Sequence, residues 1–156
     1  MKIFKTFVVA LILFSFGPPL LQAQSEADYK DLDQTGKNIR DAFAKGDLET
    51  IKKYHHPDVI KALDPTKVLE GREVVLSNLE GTLNNFYLEF QKNELESMLI
   101  NGDTAVEQTR FEIKGTPKVG GDSWIFKGRT MVVYVRYDKS PTGWASIREI
   151  IQVATE

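Results

Sequence analysis

Ser123-Trp124-Ile125-Phe126-Lys127-Gly128-Arg129-Thr130-Met131-Val132-Val133-Tyr134-Val135-Arg136-Tyr137 is rich in β-branched and aromatic residues and holds no proline. It reads as one long strand. Its flanks are turns: Pro117 to Asp122, with Gly120-Gly121, before it, and Asp138 to Gly143 after it. Trp144 to Val153 then reads as a last strand. Thr104 to Lys114 and residues 87–100 read as two earlier ones, separated by Asn101-Gly102, a strong hairpin signal. Short links between successive strands imply an antiparallel meander.

Before Tyr87 the period is helical. Tyr29, Leu32, Ile39 and Phe43 recur at helical spacing, and Ser25 with Asp28 fits a capping box. Gly46 fits a left-handed helix stop, and Asp47 fits the N-cap of a short second helix carrying Leu48, Ile51 and Tyr54. Residues 58–63 read as a short strand, ended by the turn signal Asp64-Pro65. A third helix runs from about Arg72 to Asn85, with Val75, Leu79, Leu83 and Phe86 on one side. Three helices followed by a four-stranded meander, plus one short strand, predict an α+β fold with helices covering one face of an antiparallel sheet. Long strands twist and curl, so the helices close a cone, a natural small-molecule pocket.

The 156 residues are 42% hydrophobic and 27% charged, which is globular rather than disordered composition. Lys2 and Lys5, the apolar run Phe7 to Phe16, the break at Gly17-Pro18-Pro19 and the small residue Ala23 have the anatomy of a secretory signal over residues 1–23. That leaves residues 24–156 as one domain, secreted or periplasmic, with no stable membrane insertion after cleavage. An uncleaved anchor is the alternative. Loss of Lys2 and Lys5 reduces the 20 basic residues to 18 against 22 acidic, a net charge of −4. A mildly acidic domain lacks the electrostatic footprint of a nucleic-acid binder. With no cysteine, thiolate catalysis, iron–sulfur clusters and cysteine-based zinc sites are excluded. His55-His56 are adjacent and cannot form an i, i+4 metal pair. The sequence implies no cofactor and no metal.

The segment Ala42-Phe43-Ala44-Lys45-Gly46-Asp47-Leu48, with Tyr54, Pro57-Asp58-Val59, Glu70-Gly71-Arg72-Glu73, Asn101-Gly102-Asp103-Thr104-Ala105-Val106 and Gly143-Trp144, resembles the nuclear transport factor 2-like superfamily, nearest its SnoaL-like and ketosteroid-isomerase-like branches. The resemblance covers about residues 25–155. It implies a cone-shaped α+β barrel, often dimeric through the sheet, and by itself no function. The family's catalytic phenol falls at Ile39 and its base near Leu63, both apolar. No catalytic residue is therefore carried over.

Period-two alternation places Trp144, Ser146, Arg148 and Ile150 on one strand face, and the resemblance turns that face into the cone. Trp124, Phe126, Thr130, Val132 and Tyr134 share a face of the preceding strand, and Ala105, Glu107, Thr109 and Phe111 one face of the strand before it. The expected ligand-binding set is Arg148 paired with Glu107, walled by Trp124, Tyr134 and Trp144, with His56 toward the mouth. Arg148 would grip an anionic group of a small, partly apolar ligand. Two other classes stay open: an isomerase, cyclase or hydrolase using Arg148, Glu107 or a histidine, and a module that homodimerises through the outer sheet face at Ile125, Met131, Val133 and Val135.

Overall fold

The computed structural model describes residues 19–154. Three helices, α1 (Pro19–Lys45), α2 (Leu48–Lys53) and α3 (Arg72–Asn85), cover one face of a six-stranded sheet. The strands are β1 (His55–Ala62), β2 (Val68–Glu70), β3 (Phe86–Asn101), β4 (Thr104–Pro117), β5 (Trp124–Arg136) and β6 (Trp144–Val153). Their order across the sheet is β2-β1-β6-β5-β4-β3. The predicted meander is present as β3 to β6.

Two details of the expected sheet are corrected. It has six strands, because residues 68–70 turn back on β1, pairing Lys61 with Leu69. The Asp64 carboxylate holds that turn by accepting from the Thr66 and Lys67 amides. The sheet is also mixed, since β1 lies parallel to β6. The chain reaches β6 only after four intervening strands, so no turn signal announces that pairing.

The start of α1 is a further correction. α1 is described from Pro19, so Ser25 lies inside it and not at a capping box. The predicted boundary after Ala23 thus falls within α1, and most of the predicted leader, residues 1–18, lies outside the described residues. At the other end Gly46, with φ +69°, closes α1. The Asp47 and Gly46 amides reach back to the carbonyls of Ala42 and Phe43, the paired bonds of a Schellman motif. Asp47 then caps α2 by accepting from the Thr50 amide at 3.0 Å.

The core forms three groups around a central space. Ala42, Ile51, Leu76, Leu79, Leu83 and Leu88 join the three helices to β3. Leu32, Ala105, Val132, Tyr134 and Trp144 seat α1 on the sheet. Val59, Leu69 and Val75 close the β1–β2 end under α3. Buried Asp28 of α1 pairs with Arg136 of β5, whose guanidinium lies 4.1 Å above the Trp144 ring. That stacking fixes α1 across the sheet.

Irregular pairing shapes the sheet. β3 is an edge strand with register shifts at Phe90/Lys92 and Leu95/Ser97, inside its polar stretch. Such bulges bend a strand and increase its twist. The displaced Glu96 turns outward to meet Arg110 at 2.8 Å and Arg129 at 2.9 Å. A charged, bulged edge is also protected from pairing with other strands.

Candidate functional site

A cavity of about 390 Å³ opens between α1, α3 and the concave face of the sheet. That is within the range of small-molecule sites. Most of its wall is aliphatic or aromatic, including Ile39, Phe43, Leu79, Phe90, Phe111 and Phe126.

Its polar groups come in rows across the strands. Glu107 of β4 faces Val132 of β5, which faces Glu149 of β6, which faces Lys61 of β1. The next row holds Ala105, Tyr134, Ser146 and His55. Alternation keeps both rows on one face of the sheet. The Lys61 ammonium meets the Glu149 carboxylate at 2.5 Å, with both side chains largely buried, and the Thr130 hydroxyl donates to Glu149 at 3.2 Å.

Glu107 is only 7% exposed, and among the described residues its carboxyl makes no hydrogen bond or ion pair. Burial pushes its pKa up to about 7. The Arg40 cation of α1 opposes that rise, and the charges of Glu149 and Asp33 reinforce it. Burial also holds the Tyr134 phenol well above its ordinary range, with Glu107 and Glu149 adding to the effect. His55 is fully enclosed. Burial first, then the cations Lys61 and Arg72, hold its imidazole pKa well below the usual value, against the pull of the Ile51 carbonyl. Its Nδ1 lies 2.8 Å from that carbonyl, which can only accept, so Nδ1 carries the hydrogen and Nε2 a lone pair.

Three of the six expected ligand residues line this cavity: Glu107, Trp124 and Tyr134. Trp124 stands at its edge, 37% exposed. Its ring meets Phe86 edge-on and occupies the space a side chain at position 115 would need, which Gly115 leaves free.

The other three do not line it. Arg148 points outward and is exposed. The pairing of β5 with β6 runs Val133 to Arg148 and then Tyr134 to Ser146, so Ile147 is an extra residue. The bulge resets the alternation after Ser146 and turns Glu149 inward in place of Arg148. Arg148 Nη1 instead donates to the carbonyls of Ile147 and Asp58, at 2.7 and 3.0 Å. Both carbonyls belong to the irregular stretch, so the expected Arg148–Glu107 pair is absent. Trp144 is fully buried against Leu32 and fills the closed end of the fold. His56 packs on Tyr137 and lies 3.7 Å from the Asp58 carboxylate, while its neighbour His55 faces the cavity.

The resemblance's two catalytic positions, Ile39 and Leu63, do line the cavity, but neither side chain can move a proton. Arg40, Lys61, Glu149, Asn78, Thr82 and Asn93 are polar lining residues that sequence reasoning missed, and of the adjacent histidines it is His55 rather than His56 that lines the cavity.

A curved sheet closed into a cone by three helices, with a mainly apolar chamber inside, defines the nuclear transport factor 2-like fold. Solved structures agree. A conserved protein from Planctomyces limnophilus superposes with a TM-score of 0.75 over 83% of this chain and 99% of its own, at 21% identity. A nuclear transport factor 2-like superfamily protein from Salmonella enterica serovar Typhimurium gives 0.70 at 15% identity, over 85% of this chain and 94% of its own. A ketosteroid isomerase-like protein from Erwinia carotovora atroseptica gives 0.68 at 11% identity, over 80% and 94% respectively. No family model and no curated protein matches the sequence. Identities this low carry the fold and nothing finer.

Proposed function

We propose that the cone is a binding chamber for one small, largely apolar molecule bearing a polar group. One observation carries this reading. The chamber is walled mainly by hydrocarbon, yet Glu107, Tyr134 and Arg40 bring polar heads to it that bond to no other described residue. Glu107 and Tyr134 are buried and Arg40 half-buried, and buried polar groups are ordinarily paired. A bound molecule would supply the missing partners.

The test is binding of 2-naphthol, followed by tryptophan emission because Trp124 stands at the chamber edge. Asn78→Trp on α3 puts an indole into the chamber from the helical wall. It is expected to weaken binding at least tenfold, by about 1.4 kcal/mol or more, with the melting temperature little changed. Undiminished binding would mean that the probe sits elsewhere.

A second reading is favoured by Glu107 and His55 together. One carboxyl with a pKa near 7 and one imidazole with a free lone pair stand in adjacent rows of the same wall. A general acid or base needs a pKa near the working pH and reach to the substrate, which Glu107 has; the neutral His55 offers its lone pair as a hydrogen-bond acceptor. Proton transfer on the bound molecule, as in an isomerase, would appear as turnover lost in Glu107→Gln while binding survives. The ketosteroid isomerase-like neighbour supports the fold of such a site but not its residues.

Export and self-association complete the proposal. Residues 1–23 act as a cleaved leader, and the outer sheet face forms a homodimer where Met131 and Ile150 pair and stand exposed. Native mass spectrometry of protein from its own cell envelope reads all three features. The expected species is a dimer lacking about 23 residues per chain and retaining a ligand. A full-length monomer would refute both the leader and the dimer.

A further inference from the structure

We propose that the chamber's ligand is a monocarboxylate, its carboxylate held by the Arg40 guanidinium and by a hydrogen bond donated from the Glu107 carboxyl. This rests on the chamber reading above and adds the chemical class.

The observation behind it is Gly36. Glycine weakens a helix interior, and this one lies in the middle of α1, far from any turn or cap. A side chain at position 36 would have its Cβ 3.0 Å from Arg40 Nη1 and 3.8 Å from Cζ. The guanidinium is therefore folded back one helical turn onto bare backbone. Gly36, Ile39, Arg40 and Phe43 share one helix face and all line the chamber. The helix sacrifices propensity at the position that lets an arginine head lie against the cavity wall.

Charge balance gives the partner. Lys61 and Glu149 satisfy each other at 2.5 Å. Arg40 makes no ion pair or hydrogen bond among the described residues. The charges of Arg40 and Asp33 of α1 and Glu149 of β6 act on Glu107, and Tyr134 and Thr130 of β5, Ser146 of β6, His55 and Lys61 of β1, Asn78 and Thr82 of α3 and Asn93 of β3 line the same chamber. Burial keeps His55 neutral and Tyr134 protonated, and it raises the Glu107 carboxyl to about 7, so Glu107 changes charge near neutrality. While Glu107 is protonated, the charged side chains lining the chamber are the paired Lys61 and Glu149 and the Arg40 cation, which has no ion-pair partner among the described residues. A guanidinium there favours a planar anion that can accept two parallel N–H bonds. A carboxylate fits, and its second oxygen's remaining lone pair can accept the Glu107 proton. A dianion would bring a further charge toward Glu149, and a cation would be repelled by Arg40.

One consequence is linkage to protons. Above a pH of about 7 Glu107 becomes an anion and competes for Arg40. A carboxylate ligand must then restore the Glu107 proton, so its affinity should fall about tenfold for each further pH unit.

The experiment is calorimetric titration of the full chain with 2-naphthoate and with 2-naphthamide, the neutral compound of the same shape. At about pH 6, naphthoate should bind at least tenfold tighter than naphthamide. At about pH 9 naphthoate should be weaker by about a hundredfold, with naphthamide little changed. Arg40→Gln should remove the preference while naphthamide still binds. Glu107→Gln should keep the preference and flatten the pH profile. If naphthamide binds as tightly as naphthoate at pH 6, or if Arg40→Gln keeps the preference, the carboxylate assignment is wrong and the chamber stands. If neither compound binds, the chamber reading falls and this inference with it.

Discussion

Glu107→Gln is expected to stabilise the protein above neutral pH by about 3 kcal/mol and to leave it nearly unchanged at about pH 4. The reason is the cost of ionising a buried carboxyl. Its pKa rises from an ordinary 4.5 to about 7 in the folded chain, chiefly through burial. Each pH unit of that difference is worth about 1.36 kcal/mol. The sign follows from linkage. Below about 4.5 the group is protonated in both the folded and the unfolded chain and has no effect. Between about 4.5 and 7 the unfolded chain releases the proton first, so stability falls as pH rises. Above about 7 the loss is complete and constant. Glutamine has the same shape and no such titration, so the difference between the two proteins isolates this one carboxyl. Urea denaturation at about pH 4, 6 and 8.5 reads it directly. Two stability curves that run parallel across this range would mean that Glu107 ionises freely in the folded protein. The proton linkage proposed for the ligand would then be lost as well.

This prediction depends on a residue that was legible in the sequence, and the reason is local. β4 and β5 pair without a shift from Thr104/Val135 to Gly115/Trp124. Over that length simple alternation assigns Glu107, Trp124 and Tyr134 to the same face, as observed. β6 does not allow such counting. One extra residue, Ile147, inverts every assignment after Ser146, so Arg148 and Glu149 exchange sides. Nothing in Ser146-Ile147-Arg148-Glu149 marks the bulge. It appears only where the parallel β1 strand loses register beside it, between His55 and Ile60. Lys61 was hidden for a related reason, because its partner Glu149 lies 88 positions along the chain. Arg40 did leave a signal. A mid-helix glycine four residues before an arginine, on the face that also carries Ile39 and Phe43, marks where a long polar side chain can lie back along the helix. The order of elements was readable because turns and periodicities are local. The site was readable only in part, because its electrostatics are assembled from α1, β1, β4 and β6.

Lys61→Met is expected to cost about 3 kcal/mol or more, among the larger effects a single side chain in this protein can have. The side chains of Lys61 and Glu149 are 12% and 16% exposed, and their ammonium and carboxylate meet at 2.5 Å. Removing the lysine leaves Glu149 in the wall of an apolar chamber with the Thr130 hydroxyl as its remaining partner. An orphaned buried charge typically costs about 3–5 kcal/mol. The pair itself need not be stabilising, since both ions were taken from water to form it. Replacing the two together, Lys61→Met with Glu149→Leu, is therefore expected to recover most of the loss, because hydrocarbon suits this wall. The lone methionine variant should also change its neighbours. Loss of the Lys61 cation removes one of the influences that lower the His55 pKa, so that imidazole should titrate closer to its ordinary range. Denaturation midpoints of the two single variants and the double variant form a complete cycle. NMR titration of His55 supplies a reading that a merely loosened fold would not move in the same direction. A single-variant cost below about 1 kcal/mol, as for an exposed ion pair, would show that water reaches this row of the sheet. The chamber would then be wetter than its hydrocarbon wall implies, and the argument for Glu107 as a desolvated acid would weaken with it.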